Sequence, residues 1–357
     1  MLVKGLIYRE DCFENGYIRF EDGIIKEIGK ICPPGEVLGK GIIIPHLINA
    51  HVHTGDFFLR ERIKGKKWSV AKLVSPKGYK HNALRRASKE KIVNSISSSI
   101  KKIFFSGTTI FSDFRENGIE GLEQFNEGMK KACLPIKPII LSRTKKQNYD
   151  YAELKKLLEL SDGIGISSIN DCDYDELLKI SKEVRSKSKL FALHASEDKR
   201  EDIDEILDLK PSFLVHMAKA SDNDLEIVRD ANVPIVVCPS SNKFFGIKTP
   251  LKKMIEKNVK LALGTDNAML SSLSIFDEMV HAYKFLSPIE VLKIVTKEPG
   301  KILNLNETIS LQEGGKADFI LLSIPDGEKV AKMKYFYTEN ISLISAGKFF
   351  WRRKNES

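Results

Sequence analysis

From residue 42 to about residue 285, short apolar runs alternate with longer segments whose apolar positions recur every three or four residues. The first pattern reads as a buried strand and the second as an amphipathic helix. The strand-like runs are GIIIPHLINAHVH (41–53), TTIFSDF (108–114), IKPIILSRT (136–144), GIGISSIN (163–170), LFALHAS (190–196), FLVHMA (213–218), PIVVCPSSN (234–242) and KLALGTDN (260–267). Between them lie helical segments such as SKEKIVNSISSSIKKIFFSG (88–107), where Ser88 is placed to cap the start and Gly107 to close the end. YAELKKLLEL (151–160) shows the same spacing, and SDNDLEIVRDAN (221–232) opens on a good cap.

Strands that alternate with helices pair in parallel through right-handed crossovers, and eight such units close into a barrel. The two ends of the chain follow another rhythm. LVKGLIYR, GYIRFED and GIIKEIG near the start, and GGKADFILLSI and NISLISAGKFFWRR near the end, are β-rich and broken by glycines and turn residues. The expected fold is therefore α/β: a (β/α)8 TIM barrel over residues 46–305, with a small β-sandwich formed by residues 1–45 and 306–357.

Composition changes this picture little. The 357 residues are 42% hydrophobic and 29% charged, an ordinary balance for a chain that can bury a large core. The start does not read as a signal peptide, and no apolar run approaches the ~18 residues of a membrane span. Five scattered cysteines without metal-finger spacing suit a reduced, cytoplasmic setting. The net charge of +9 is spread over helices in which Lys and Glu alternate, so a solvated surface is expected. No nucleic-acid-binding motif accompanies it. One segment is an exception: Arg60, Arg62, Lys64, Lys66, Lys67, Lys72, Lys77, Lys80, Arg85 and Arg86 fall within 27 positions after the first barrel strand, with Glu61 the only acid.

Barrel enzymes carry their chemistry at the carboxyl ends of the strands. His51 and His53, two apart at the end of the first strand, face the same side. His194 ends the fifth strand, His216 the sixth and Asp266 the eighth, where Ala262 and Gly264 leave room. Four of the seven histidines and one carboxylate thus converge on one mouth. Each alone would be an ordinary hydrogen-bonded residue. Together they make a ligand set for Zn2+ or Fe(II). Glu197, three residues after His194, is placed for acid–base work, or simply sits as an acid at a helix start.

NAHVH, LHASE, VHMA, CPSSN, GTDN and GGKADFILL, in this order, resemble the amidohydrolase superfamily, and within it the cytosine/guanine deaminase and chlorohydrolase branch. The resemblance covers nearly the whole chain. It implies that His51, His53, His194 and Asp266 bind one divalent metal, zinc before iron. It implies that His216 stabilises the developing oxyanion and that Glu197 protonates a ring nitrogen. Asp266 would also accept a proton from the attacking water. The fourth strand lacks the lysine that bridges two metals in urease-like members, so one metal is expected. The implied reaction is hydrolytic deamination of an amino-substituted heterocycle (nucleobase, nucleoside, pterin or related ring). The alternative is cleavage of a cyclic amide or removal of another leaving group, as in chlorohydrolases. Family members are commonly homo-oligomers.

The chain departs from the family in two places. His46 stands where members usually have Gly. The segment after the first strand lacks their aromatic and acidic cues and is basic instead, which suggests either an anionic substrate group or a solvated lid. Lys80, Trp68, Arg115 and Asn242 are the candidate substrate contacts, with Glu116 beside Arg115 a further one.

Overall fold

The computed structural model describes residues 1–9, 11–305, 309–323, 341–345 and 348–351. The chain begins with β1 (Leu2–Arg9), β2 (Cys12–Glu21), β3 (Ile24–Gly29) and β4 (Gly39–Pro45). The barrel strands follow: β5 (Leu47–His53), β6 (Thr108–Arg115), β7 (Lys137–Ser142), β8 (Gly163–Ile166), β9 (Leu190–Ala195), β10 (Phe213–His216), β11 (Ile235–Val237), β12 (Leu261–Leu263) and β13 (Asp266–Asn267). The chain then returns to β structure in β14 (Phe319–Ser323), β15 (Ile341–Ser345) and β16 (Lys348–Trp351).

β5 to β12 pair in parallel, each with the next in sequence, and β13 pairs with β5. β12 and β13 are two halves of one strand, interrupted at Gly264–Thr265, so the nine-stranded curled sheet contains the eight predicted units. The interruption has a cause. A Cβ on Gly264 would lie 2.8 Å from both the Cβ and the carbonyl oxygen of His51, so the last strand meets the first only where a side chain is missing. The helices behave as their sequences require. Lys89–Phe105 is capped by Ser88 and buries Ile92, Ile96, Ile100, Ile103 and Phe104 against the barrel. Asp222–Asp230 starts with a Ser221/Asp224 capping box.

The ends of the chain meet in one seven-stranded sheet of order β16-β15-β14-β4-β1-β2-β3. Its apolar face is Val3, Ile7, Ile18, Phe20, Ile25, Ile43, Phe319 and Leu321. The described residues give a single sheet rather than two stacked ones. Parts of the expected sandwich segment (306–308, 324–340, 346–347, 352–357) lie outside them. His46 sits at the junction of the two sheets. It is buried, with Nδ1 2.7 Å from Thr109 Oγ1 and Nε2 2.8 Å from the Ile344 carbonyl oxygen.

Segment 60–86, between β5 and the next long helix, carries short helices at Arg60–Ile63, Val70–Leu73 and Tyr79–Arg86. Leu59, Ile63 and Leu73 form a small core with Met269, next to the end of β13. The segment is thus packed onto the carboxyl end of the barrel. Among the described residues no helix is long and apolar enough to cross a membrane.

Candidate active site

The barrel interior below the mouth is apolar: Ile48, Ala50, Leu141, Ala192, Val215, Val236 and Ala262 fill it. On β9 the inward positions Leu190 and Ala192 lead by parity to His194. On β5 parity alone would fail, because Ile48 and Ala50 face inward and His51 has the opposite parity. The pairing with β6 slips between Asn49 and Val52, and this irregularity brings His51 and His53 to the mouth. His216 follows Val215 and would point away in a regular strand. Its φ of +75°, followed by +52° at Met217, turns the chain. Asp266 also has a positive φ, +57°. Left-handed backbone at non-glycine residues costs of order 1–3 kcal/mol and persists where the surroundings over-determine it.

The donor atoms of His51, His53, His194 and Asp266 lie within 4.8 Å of one another, a group that could hold a metal ion. His194 Nε2 is 3.1 Å from His51 Nε2 and 3.4 Å from His53 Nε2. The Nδ1 atoms of His53 and His194 face the carbonyl oxygens of Phe114 (3.0 Å) and Ile166 (2.9 Å), to which they donate. Their Nε2 atoms therefore carry lone pairs that face each other. Lone pairs at this separation repel, and a cation between them removes the conflict. Burial lowers the pKa of all three imidazoles, that of His53 to about 3, which keeps them neutral as ligation needs. Burial alone would raise Asp266, but the hydrogen bond with His51 and the charge of His216 carry it well below the usual carboxylate range. Asp266 also accepts hydrogen bonds from Ser241 Oγ and from Asn267 Nδ2 (2.8 Å).

Glu197, His216 and Asp266 form a second group with donor atoms within 4.8 Å, sharing Asp266 with the first. His216 Nε2 is 3.8 Å from Glu197 Oε2 and 4.0 Å from Asp266 Oδ2. Both ring nitrogens of His216 and Oε1 of Glu197 are buried without a hydrogen-bond partner among the described residues. Burial pushes the Glu197 carboxyl up to about 7. These groups face a cavity of about 540 Å³ that is also lined by Lys80, His81, Arg143 and Ser168 and is roofed by Val70, Ala71 and Val74 of the covering segment.

The four candidate substrate contacts fall elsewhere or have other partners. Trp68 does not line this cavity: its ring packs on Tyr79 and its N–H donates to the Ile63 carbonyl (3.3 Å), which pins the covering segment. Asn242 is buried and donates to Thr249 Oγ1 (2.9 Å). Arg115 is buried against Glu116 (2.5 Å) and Asp113 (3.6 Å). Lys80 lines the cavity, but its ammonium lies 2.6 Å from Glu116 Oε1, 2.6 Å from Asn267 Oδ1 and 3.7 Å from Asp56 Oδ2. Glu116 Oε1 is in turn 3.0 Å from His53 Nδ1. Asp56, Asp113, Arg143 and Asn267, which sequence reasoning passed over, complete this buried charged layer against the ligand group. Their only sequence signals were positional: Asp56 lies three residues after His53, Asp113 two before Arg115, and Asn267 beside Asp266.

A closed parallel barrel whose carboxyl end gathers three neutral imidazoles and a carboxylate defines the class of metal-dependent barrel hydrolases. The chain belongs to the amidohydrolase family, whose model matches residues 42–348. An uncharacterised protein of Methanocaldococcus jannaschii is 34% identical over 345 residues, covering 90% of each chain. A 5-methylthioadenosine/S-adenosylhomocysteine deaminase of Pyrococcus furiosus is 26% identical, covering 91% of this chain and 86% of its own. Among solved structures, Helicobacter pylori aminofutalosine deaminase in complex with methylthio-coformycin has a similar fold. Its TM-score is 0.75 at 17% identity, and 98% of this chain and 99% of that one are covered.

Proposed function

We propose that the chain is a hydrolytic deaminase that replaces the amino group of a nitrogen heterocycle by oxygen and releases ammonia. Its metal would be a single zinc ion held by His51, His53, His194 and Asp266, since three imidazoles and one carboxylate suit zinc. Residues 46–305 would be the catalytic barrel, and 1–45 with 306–357 one small β domain. The observation that carries the reading is the second donor group, in which Glu197, His216 and the shared Asp266 converge within 4.8 Å beside the ligand cluster.

A divalent metal in such a set supplies a Lewis acid that makes water acidic near neutrality. Asp266, held ionised, takes the proton released there and passes it to the amino group, which leaves as ammonia. Glu197, whose carboxyl keeps a proton up to about pH 7, gives it to the ring nitrogen next to the carbon attacked. His216 donates from Nε2 to the oxygen that gains negative charge at that carbon. The cavity admits a heterocycle with an appendage, and its size lies in the range of about 300–1,000 Å³ usual for small-molecule sites. The relative that deaminates 5-methylthioadenosine makes adenine nucleosides the first substrates to try.

The test is ammonia release by zinc-reconstituted protein from a panel of adenine nucleosides, aminopyrimidines, guanine and pterins. The expected result is release from at least one ring, lost in Glu197→Gln with zinc retained. A zinc-replete protein that releases ammonia from none of them but chloride from chloro-heterocycles would replace this reading by the chlorohydrolase one.

A further inference from the structure

Of the ten basic residues between Arg60 and Arg86, Lys80 alone is buried. Its ammonium sits where two chains of contacts meet. One runs through Glu116 Oε1 to His53 Nδ1, at 2.6 Å and then 3.0 Å. The other runs through Asn267, which accepts from Lys80 at Oδ1 (2.6 Å) and donates from Nδ2 to Asp266 Oδ1 (2.8 Å). A single side chain of the covering segment thus reaches the outer partners of a strand-β5 ligand and a strand-β13 ligand, on the two paired strands where the barrel closes.

An ammonium has three donors. Asn267 takes one of them, and the carboxylates of Glu116 (2.6 Å) and Asp56 (3.7 Å) lie close enough to match the charge, so Lys80 already has counter-charges within the protein. Glu116 is also approached by Arg115 (2.5 Å) and Arg143 (3.6 Å), so Lys80 is one of three buried cations around the carboxylate that faces His53. Without Lys80 that carboxylate is drawn only toward Arg115 and Arg143 and loses its tie to Asn267. The packing points the same way. Met269, which shares a core with Leu59, Ile63 and Leu73, donates its backbone N–H to Asp56 Oδ1 (3.1 Å).

We propose that Lys80 is a positioning residue that couples docking of residues 60–86 to assembly of the metal site. With Lys80 between Glu116 and Asn267, His53 and Asp266 are fixed together, so a bound cation and a docked segment stabilise each other, and by linkage each strengthens the other equally. This rests on the reading of His51, His53, His194 and Asp266 as metal ligands.

The experiment titrates metal-free protein with Zn2+ against a chromophoric chelator and, in parallel, follows tryptic cleavage after the exposed residues Arg62, Lys64, Lys66 and Lys67. In the wild type, zinc slows cleavage of the segment. Lys80→Met binds zinc about tenfold more weakly or worse, the range usual for outer-sphere partners, and zinc no longer protects the segment. Lys80→Arg recovers part of both. Lys77→Met, at an exposed position, behaves as wild type. Asn267→Ala, which keeps the Lys80–Glu116 pair, gives a milder loss of both and serves if Lys80→Met does not fold. Zinc affinity within twofold of wild type and intact protection in Lys80→Met and Asn267→Ala would overturn the coupling while leaving the metal reading in place. A wild type that binds no zinc overturns both.

Discussion

The barrel mouth and the segment that covers it are both dense in charge, and they treat charge in opposite ways. Segment 60–86 leaves Arg62, Lys64, Lys66, Lys67, Lys72, Lys77, Arg85 and Arg86 in solvent. The mouth buries Asp56, Asp113, Glu116, Arg115, Arg143 and Asp266 almost completely. A charge in water interacts weakly and exchanges partners freely. The same charge under a lid must be matched by geometry, because a buried ion without its partner is costly. Lys80 belongs to the first region by sequence and to the second by structure. Basic composition alone therefore does not separate the two kinds of charge. It hid one interior cation among nine that are not buried.

This contrast can be broken at several points. The largest effect is expected at Glu197. Glu197→Gln removes the proton that the reaction needs and should lower kcat by about 10²–10⁴, with zinc content unchanged, as read by ammonia release and elemental analysis. Activity within threefold of wild type would remove Glu197 from the mechanism. Next comes Lys80→Met, which leaves Glu116 with only Arg115 and Arg143 as counter-charges. It should lower unfolding stability by at most about 3–5 kcal/mol, the cost of a buried ion left wholly unpaired, in urea denaturation, and a loss under 1 kcal/mol would show that the buried layer rearranges easily.

Glu278 gives a third test, on the barrel's helical shell. Burial pushes its carboxyl from 4.5 up to about 8, although the Ser240 N–H donates to it at 3.0 Å. The folded chain holds this proton between about pH 4.5 and 8 while the unfolded chain releases it. Stability therefore falls as pH rises through that window and levels off above it. Glu278→Gln removes the dependence. Its stability relative to wild type should grow between pH 5 and 8, by at most about 1.4 kcal/mol for each pH unit crossed, in paired thermal melts. A constant difference across pH would contradict a protonated Glu278. The smallest effect is expected from Lys72→Met and Arg86→Met in the exposed set, within about 0.5 kcal/mol. A larger change would mean that the solvated face does more than dissolve.

Much of the fold was legible because barrel strands are continuous apolar runs and the helices between them keep their 3.6-residue period. Ser88 and Ser221 cap their helices as the sequence predicts. The residues at the mouth were legible because strand ends of parallel barrels face one cavity. The route by which they get there was not. His51 and His53 depend on a register slip in β5, and His216 on a left-handed turn. Neither leaves a mark in the pattern of apolar positions. The charged layer was less visible still. Lys80, Glu116 and Asn267 are far apart in sequence, and a pairing made by tertiary packing has no period to detect. The three short helices of segment 60–86 have no counterpart in the sequence pattern, since four to eight residues carry too little periodicity to show.

The central claim is that one metal ion at the His51, His53, His194 and Asp266 cluster supports deamination. Metal-free protein titrated with zinc, with ammonia release from a responsive heterocycle as the readout, tests it most directly. The account predicts activity that is absent without metal, rises in proportion to zinc and saturates at one equivalent per chain. Ammonia release by the metal-free protein, or saturation at two equivalents, would contradict it.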